Sequence, residues 1–217
     1  MSKYIIVDFE MCKVPIATRK EKHCGSMEII QIGAVKLNED YIIEDTFSTY
    51  VKPQYGIVDK FIQNLTGIET KDTQNASSTE EALKNFVDWL PDDGILVSWS
   101  ENDEIQIRSE LECKNISIPE LNKYLDGWID CQKTFSDKMH SEKKYNLTEA
   151  LNITGIDYED GAHDGLVDAH NTALLFSKMK NETKLNTVSC YITDENAENF
   201  TYSPFAELFN NYETIAC

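Results

Sequence analysis

The chain has 217 residues, 41% of them hydrophobic, which suits one domain of ordinary size with a buried core. Its 38 acidic and 20 basic side chains leave a net charge of −18, which repels a polyanion over most of the surface and argues against extended duplex binding, though not against a grip on a few terminal nucleotides through bridging cations. Met1 to Asp8 meet a charge too soon for a signal-peptide core, no later stretch reaches membrane-spanning length, and six dispersed cysteines lack a C-x-x-C pair, so a soluble cytoplasmic protein with free thiols and no membrane partner is expected.

Tyr4 to Val7 reads as a buried strand, followed by strands over Glu28 to Leu37 and Tyr41 to Val51, with Asn38-Glu39-Asp40 as the turn between the last two. These three make an antiparallel meander. The loop after the first strand gathers Lys13, Arg19, Lys20, Lys22 and His23 against a single acid, Glu21. Ser78 then caps an apolar-periodic helix through Ala82, Leu83, Phe86, Val87 and Leu90, stopped by Pro91. Ile95 to Trp99 is a short strand and Asp103 to Cys113 a helix. A second basic group, Lys133, Lys138, His140, Lys143 and Lys144, is interleaved with Asp137 and Glu142. Leu147 to Leu151 forms a short helix before Gly155, and Asp164 to Lys180 a longer one. The domain is expected to span 1–183. Residues 184–217 keep Tyr191, Phe200, Tyr202, Phe205, Phe209 and Tyr212, which suggests an ordered appendage packed on that domain. A meander followed by alternating helices and strands points to the α/β class, with one mixed sheet covered by helices on both faces.

Three acidic segments stand out. Asp8 and Glu10 follow the first strand, and alternation puts both on one face with Phe9 on the other. Such a pair is costly without a cation to neutralise it, unless the strand end simply emerges into solvent. His163 precedes Asp168 by five residues, about one and a half helical turns, so both can face one cleft. Asp168 between Val167 and Ala169 needs a partner if buried. Asp103 follows the strand in S-W-S-E-N-D-E, where Glu101 and Glu104 compete with it and an acidic helix start is commonplace.

The motifs D-F-E at Asp8 to Glu10, S-W-S-E-N-D at Ser98 to Asp103 and H-D-G-L-V-D-A at His163 to Ala169 occur in the order seen in the DEDDh 3′-to-5′ exonucleases, which the sequence resembles over most of Tyr4 to Lys180. The connecting stretches E-I-I-Q-I-G-A-V, F-S-T-Y-V-K-P and L-T-G-I resemble the family's histone-mRNA and sporulation-inhibitor-type branch. The resemblance implies a ribonuclease H-like fold with a mixed five-stranded sheet, three antiparallel strands and then parallel ones. It implies that Asp8, Glu10, Asp103 and Asp168 hold two Mg²⁺ or Mn²⁺ ions, with His163 as general base. Asp103 is preferred to Glu101 and Glu104 because the family places its aspartate just beyond a Ser/Thr-Trp pair. The loop after Glu10 is long for the family, and residues beyond Glu182 match nothing in it.

The chemistry so implied is in-line hydrolysis of a phosphodiester at the 3′ end of single-stranded RNA or DNA, releasing nucleoside 5′-monophosphates. All-oxygen ligands favour magnesium or manganese over zinc. Substrate contacts are expected from Phe9 and Met11, although alternation also suits Phe9 to the core, from Glu28 on the terminal sugar, from Trp99, which equally suits the core, and from Lys20 and Lys22 on phosphates. A hydrolase of very short oligonucleotides, or a non-catalytic interaction module on the same fold, are the other readings of these residues.

Overall fold

The computed structural model describes residues 3–22, 25–158, 161 and 163–188. Its strands are β1 (Lys3–Lys13), β2 (Met27–Leu37), β3 (Ile43–Lys52), β4 (Ser77–Ser78), β5 (Gly94–Ser98) and β6 (Ile129–Asp130). They form one mixed sheet in the order β4-β3-β2-β1-β5-β6, with the meander antiparallel and β4, β5 and β6 each parallel to a neighbour. The sixth strand relative to the expected five comes from two-residue ladders at the edges.

Helices α1 (Ile16–Lys22), α2 (Lys60–Thr66), α3 (Thr70–Gln74), α4 (Thr79–Trp89), α5 (Asn102–Cys113), α6 (Pro119–Leu125), α7 (Cys131–Lys138), α8 (Leu147–Thr154) and α9 (Gly165–Asn181) complete the fold. Their ends follow local chemistry. The Ser78 hydroxyl accepts from Glu81 N–H to start α4, Asp59 accepts from Ile62 N–H to start α2, and Asn146 and Glu149 cap each other's backbone at the start of α8. Gly67 and Gly155 end α2 and α8 at positive φ, 73° and 67°, where a Cβ would be strained.

Strand alternation divides the core. Ile5, Val7, Phe9 and Met11 of β1 join Leu83 and Phe86 of α4, Ile107 of α5 and Leu121 of α6 on one face. Ile6 joins Phe135, Leu151, Ala169, Ala173 and Phe176 of α7, α8 and α9 on the other. At the end of β1 the register slips from Glu10 opposite Gln31 to Met11 opposite Ile29, so Ile30 is unmatched. Ile30 packs with Cys12, Val58, Ile62 and Ile68 beneath α2.

Three local expectations need correction. β1 does not end near Val7 but continues to Lys13, because β2 pairs with it from Tyr4 to Lys13 while β5 pairs only from Lys3 to Ile6. β3 starts at Ile43 because Tyr41 takes φ 60° in the preceding turn. The basic stretch after β1 contains a helix, α1, with no buried side chain, and α2, α3, α6 and α7 occupy stretches whose short apolar patterns gave no clear period. Of the residues after 183, Leu185 is buried in the second core and Val188 N–H donates to Ile153 O at 2.8 Å. Tyr191 to Tyr212, assigned to an appendage, lie outside the described residues.

One contact sets the height of α9 above the sheet. A Cβ on Gly33 of β2 would fall 2.1 Å from Gly165 C and 2.2 Å from Leu166 N, both backbone atoms that cannot rotate away. Gly33→Ala should therefore cost about 3 kcal/mol or more and lower Tm by roughly 10 °C. Thermal melts of the two proteins check this.

Candidate active site

β1 outruns β5, so Asp8 and Glu10 lie beyond the last β1–β5 pair at Ile6, on the strand face that meets the start of α9. Asp8 is half-buried there and Glu10 is buried. After β5 the chain turns through Trp99, Ser100 and Glu101 into α5, whose first turn delivers Asp103. The Asp103 Oδ1 accepts the Phe9 N–H at 3.0 Å, taking a β1 donor that β5 has ended too early to reach.

The third segment arrives with α9. Asp164 caps the helix by accepting from Leu166 N–H and Val167 N–H, and Gly165 N–H donates to Gln31 Oε1 at 3.0 Å. Gln31 sits opposite Glu10 across the β1–β2 ladder, so its amide links the helix start to the carboxylate-bearing strand. Asp168, in the first turn, accepts from the Tyr158 hydroxyl at 2.5 Å and from His163 N–H at 3.0 Å. His163 has φ 66°, a left-handed conformation that costs a non-glycine residue about 1 kcal/mol and here turns its backbone N–H towards Asp168. Glu10, His163 and Asp168 each present one ligand atom within 4.8 Å of the others.

The electrostatics follow from crowding acids at low exposure. Burial pushes Asp8 and Glu10 well above the usual carboxylate range, and the charges of Asp103 and Asp168 add to the shift. Burial likewise raises Asp103 to about 7, against the opposing pull of the Phe9 N–H. Asp168 is raised by burial and partly relieved by the Tyr158 hydroxyl. Such a set fits hard divalent cations: it offers oxygen ligands and one imidazole, and its own repulsion is what a cation would cancel.

A model of the exonuclease family matches residues 5–176, a span that includes every residue of this cluster. The chain belongs to the exonuclease family. Among its relatives, ERI1 exoribonuclease 2 of Danio rerio is 31% identical over 199 residues, covering 81% of this chain and 34% of that protein, so the chain spans about a third of that relative's length. The nuclease domain of 3'hExo, a DEDDh family member solved with rAMP bound, superposes with a TM-score of 0.71 at 25% identity, covering 86% of this chain and 96% of that one. A 3'-exonuclease solved in 3'-end specific recognition of a histone mRNA stem-loop shares the fold at a TM-score of 0.71 and 22% identity, covering 85% of this chain and 84% of that one. The DEDDh exonucleases are metal-dependent as a family.

The expected substrate contacts are placed differently from the acidic cluster. Phe9 and Met11 are buried in the core on the opposite face of β1, Phe9 against Trp128 at 6.5 Å. Trp99 is buried against Phe135, and its Nε1–H has no partner among the described residues. Glu28 is not open to a sugar: its oxygens accept the N–H groups of Gln54, Tyr55 and Gly56 and meet the Lys114 ammonium. Lys20 and Lys22 are exposed on α1, Lys22 paired with Glu21 at 2.7 Å, and His23 lies outside the described residues. In the second basic group Lys133, Lys143 and Lys144 pair with Asp137, Glu149 and Glu101, and Lys138 donates to Glu182 O.

Four residues, two in contact with the cluster's segments and two exposed rings, escaped the sequence reading. Gln31 was detectable as a polar residue inside an apolar strand, which needs a partner when buried. Tyr158 lies in a connection with no period to mark it. Phe61, 44% exposed beneath the Lys13 ammonium at 5.0 Å, and Tyr50, 39% exposed and within the fields of Asp72 and Asp164, show their significance only in three dimensions.

An acid whose pKa rises on folding holds its proton more tightly in the folded chain. Stability therefore falls as pH rises from the unfolded value, 3.8 for Asp103, to the folded value of about 7, and Asp8 and Glu10 act in the same direction. Metal-free protein should melt at progressively lower temperature between pH 4 and pH 7, and Asp103→Asn should flatten that fall. Thermal melts in chelator across the window check both.

Proposed function

We propose that this chain is a metal-dependent 3′-to-5′ exonuclease acting on the ends of single-stranded RNA and releasing nucleoside 5′-monophosphates. The observation that carries the reading is the meeting of Asp8, Glu10, Asp103, His163 and Asp168 from three distant segments at one point of the sheet. RNA is preferred to DNA because the ERI1 exoribonuclease 2 relative is named for that substrate.

Asp8, Glu10, Asp103 and Asp168 would hold two divalent ions, magnesium or manganese by ligand type. Bound there, the ions supply positive charge to a scissile phosphate and lower the pKa of water. His163 takes the proton of the attacking water, and its own backbone N–H holds Asp168 in place while it does so. Tyr158 orients the other Asp168 oxygen. Gln31 fixes the helix carrying both residues against the strand carrying Glu10.

The substrate reaches these groups from the C-terminal end of β1 and β3. Lys13, Lys20, Lys52 and Lys60 form no ion pair among the described residues, and they stand at the end of β1, on α1, at the end of β3 and on α2. Most other lysines are tied to acids. Phosphates of the incoming strand meet these four cations, and the exposed face of Phe61 supplies a platform for a base. The net charge of −18 favours a short grip, so a preference for very short oligonucleotides is the second reading, separated by the dependence of turnover on chain length. A cytoplasmic location suits an RNA substrate, and among the described residues no helix is long and apolar enough to cross a membrane.

Asp8→Asn and Asp168→Asn should fold and release no nucleotide from a labelled RNA; substantial release by either purified variant refutes the assignment. Tyr158→Phe should raise the magnesium concentration giving half-maximal rate by roughly tenfold, with little loss at saturation. Matched RNA and DNA oligonucleotides of several lengths, with magnesium or chelator, test the substrate.

A further inference from the structure

Glu28, Glu110 and Lys114 form a buried triad at the far end of α5 from Asp103. The ammonium of Lys114, the C-cap residue of α5, forms ion pairs with Glu28 Oε1 and with Glu110 Oε2, the latter at 2.5 Å, and donates to the Thr79 hydroxyl at 2.6 Å, where α4 begins. All three charged side chains are nearly inaccessible, at 6% for Lys114 and 2% for each glutamate. Two carboxylates on one ammonium leave an excess negative charge, and backbone donors answer it. Ile29 N–H reaches Glu110 Oε1 at 2.7 Å, while Gln54, Tyr55 and Gly56 give three successive N–H groups to Glu28 at 2.5, 2.8 and 2.5 Å.

Residues 54–56 are the connection from β3 to α2, and they have no strand or helix of their own to hold them. The chain then pairs with β1 through Ile57 N–H to Lys13 O at 2.9 Å, caps α2 with Asp59 and presents Phe61 under Lys13, three residues along β1 from Glu10. We infer that Glu28, held by Lys114, which Glu110 pairs with in turn, is a positioning residue that fixes the β3–α2 connection and so sets the Phe61 face against the acidic cluster. This rests on the reading of that face as a substrate platform. Gly56 belongs to the same device: a Cβ there would lie 2.3 Å from Cys12 Sγ and 3.0 Å from Glu28 Oε2, so only glycine lets the connection settle onto the carboxylate.

The test is steady-state hydrolysis of a labelled single-stranded RNA by Glu28→Gln, Gly56→Ala and Phe61→Ala, with hydrogen exchange at residues 54–56. Glu28→Gln and Gly56→Ala should raise KM about tenfold, leave kcat within about twofold, and speed exchange in the connection while α4 and β5 stay protected. A merely structural role would lower melting temperature and active fraction without moving KM. If Phe61→Ala raises KM but the other two leave it unchanged, the positioning role is wrong and the platform stands. If Phe61→Ala leaves KM unchanged, the platform fails and the positioning role with it. Should Glu28→Gln not fold, Gly56→Ala decides alone, and an unchanged KM there overturns the inference. No nucleotide release by the unsubstituted chain would overturn the proposed activity and this inference together.

Discussion

The candidate site exists because two parallel neighbours differ in length. β5 accompanies β1 only as far as Ile6, while β1 runs on to Lys13 along β2 on its other edge, with one further bridge from Ile57 to Lys13. Backbone donors on the edge that faced β5 are left without a ladder there. A protein must satisfy buried N–H groups, and here the Phe9 N–H is met by a carboxylate from α5. The unpaired stretch of strand thus recruits its own acid, and Asp8 and Glu10 of the same overhang lie beside it.

Once those acids share one place, everything around them works against repulsion. α9 brings its positive N-terminal end and a run of N–H groups, of which Gln31 takes one and Asp164 two. Tyr158 and the backbone of His163 steady Asp168. These neutral donors soften the cost without removing it, since burial still leaves Asp8, Glu10, Asp103 and Asp168 above the ordinary carboxylate range. The remaining imbalance is a demand for cations built into the fold. The triad of Glu28, Lys114 and Glu110 handles a similar excess in another way, with one ammonium and backbone amides, which suits a place that holds the chain rather than a ligand.

The meander, the capped helix α4 and the long helix α9 could be read from the sequence because each has a clear period and end signals. Apolar runs over β2, the Ser78 cap and the apolar stripe of α9 are local properties. The pairing of Asp8 with Glu10 was also local, fixed by alternation. The true length of β1 was not, because nothing within Tyr4 to Lys13 says which neighbour will stop first. Glu28 was misread for a related reason. Its partners are 26 to 86 residues away along the chain, in the β3–α2 connection and at Lys114, and a buried acid at a strand start looks the same whether it will hold a ligand or a loop. Met11, and Trp99 at the end of β5, were drawn towards the substrate by adjacency to motifs, while burial assigns them to the core.

The glycine pair under α9 also governs how the two halves of the acidic cluster stand to each other. Gly33 and Gly165 meet backbone to backbone, so at that crossing the helix carrying Asp168 rests on the sheet carrying Glu10 through main-chain atoms. Main chains have no rotamers to change, and a seam of this kind has little slack to give. The reach from one carboxylate to the other is thereby a property of two missing side chains, settled before either acid chooses its own rotamer.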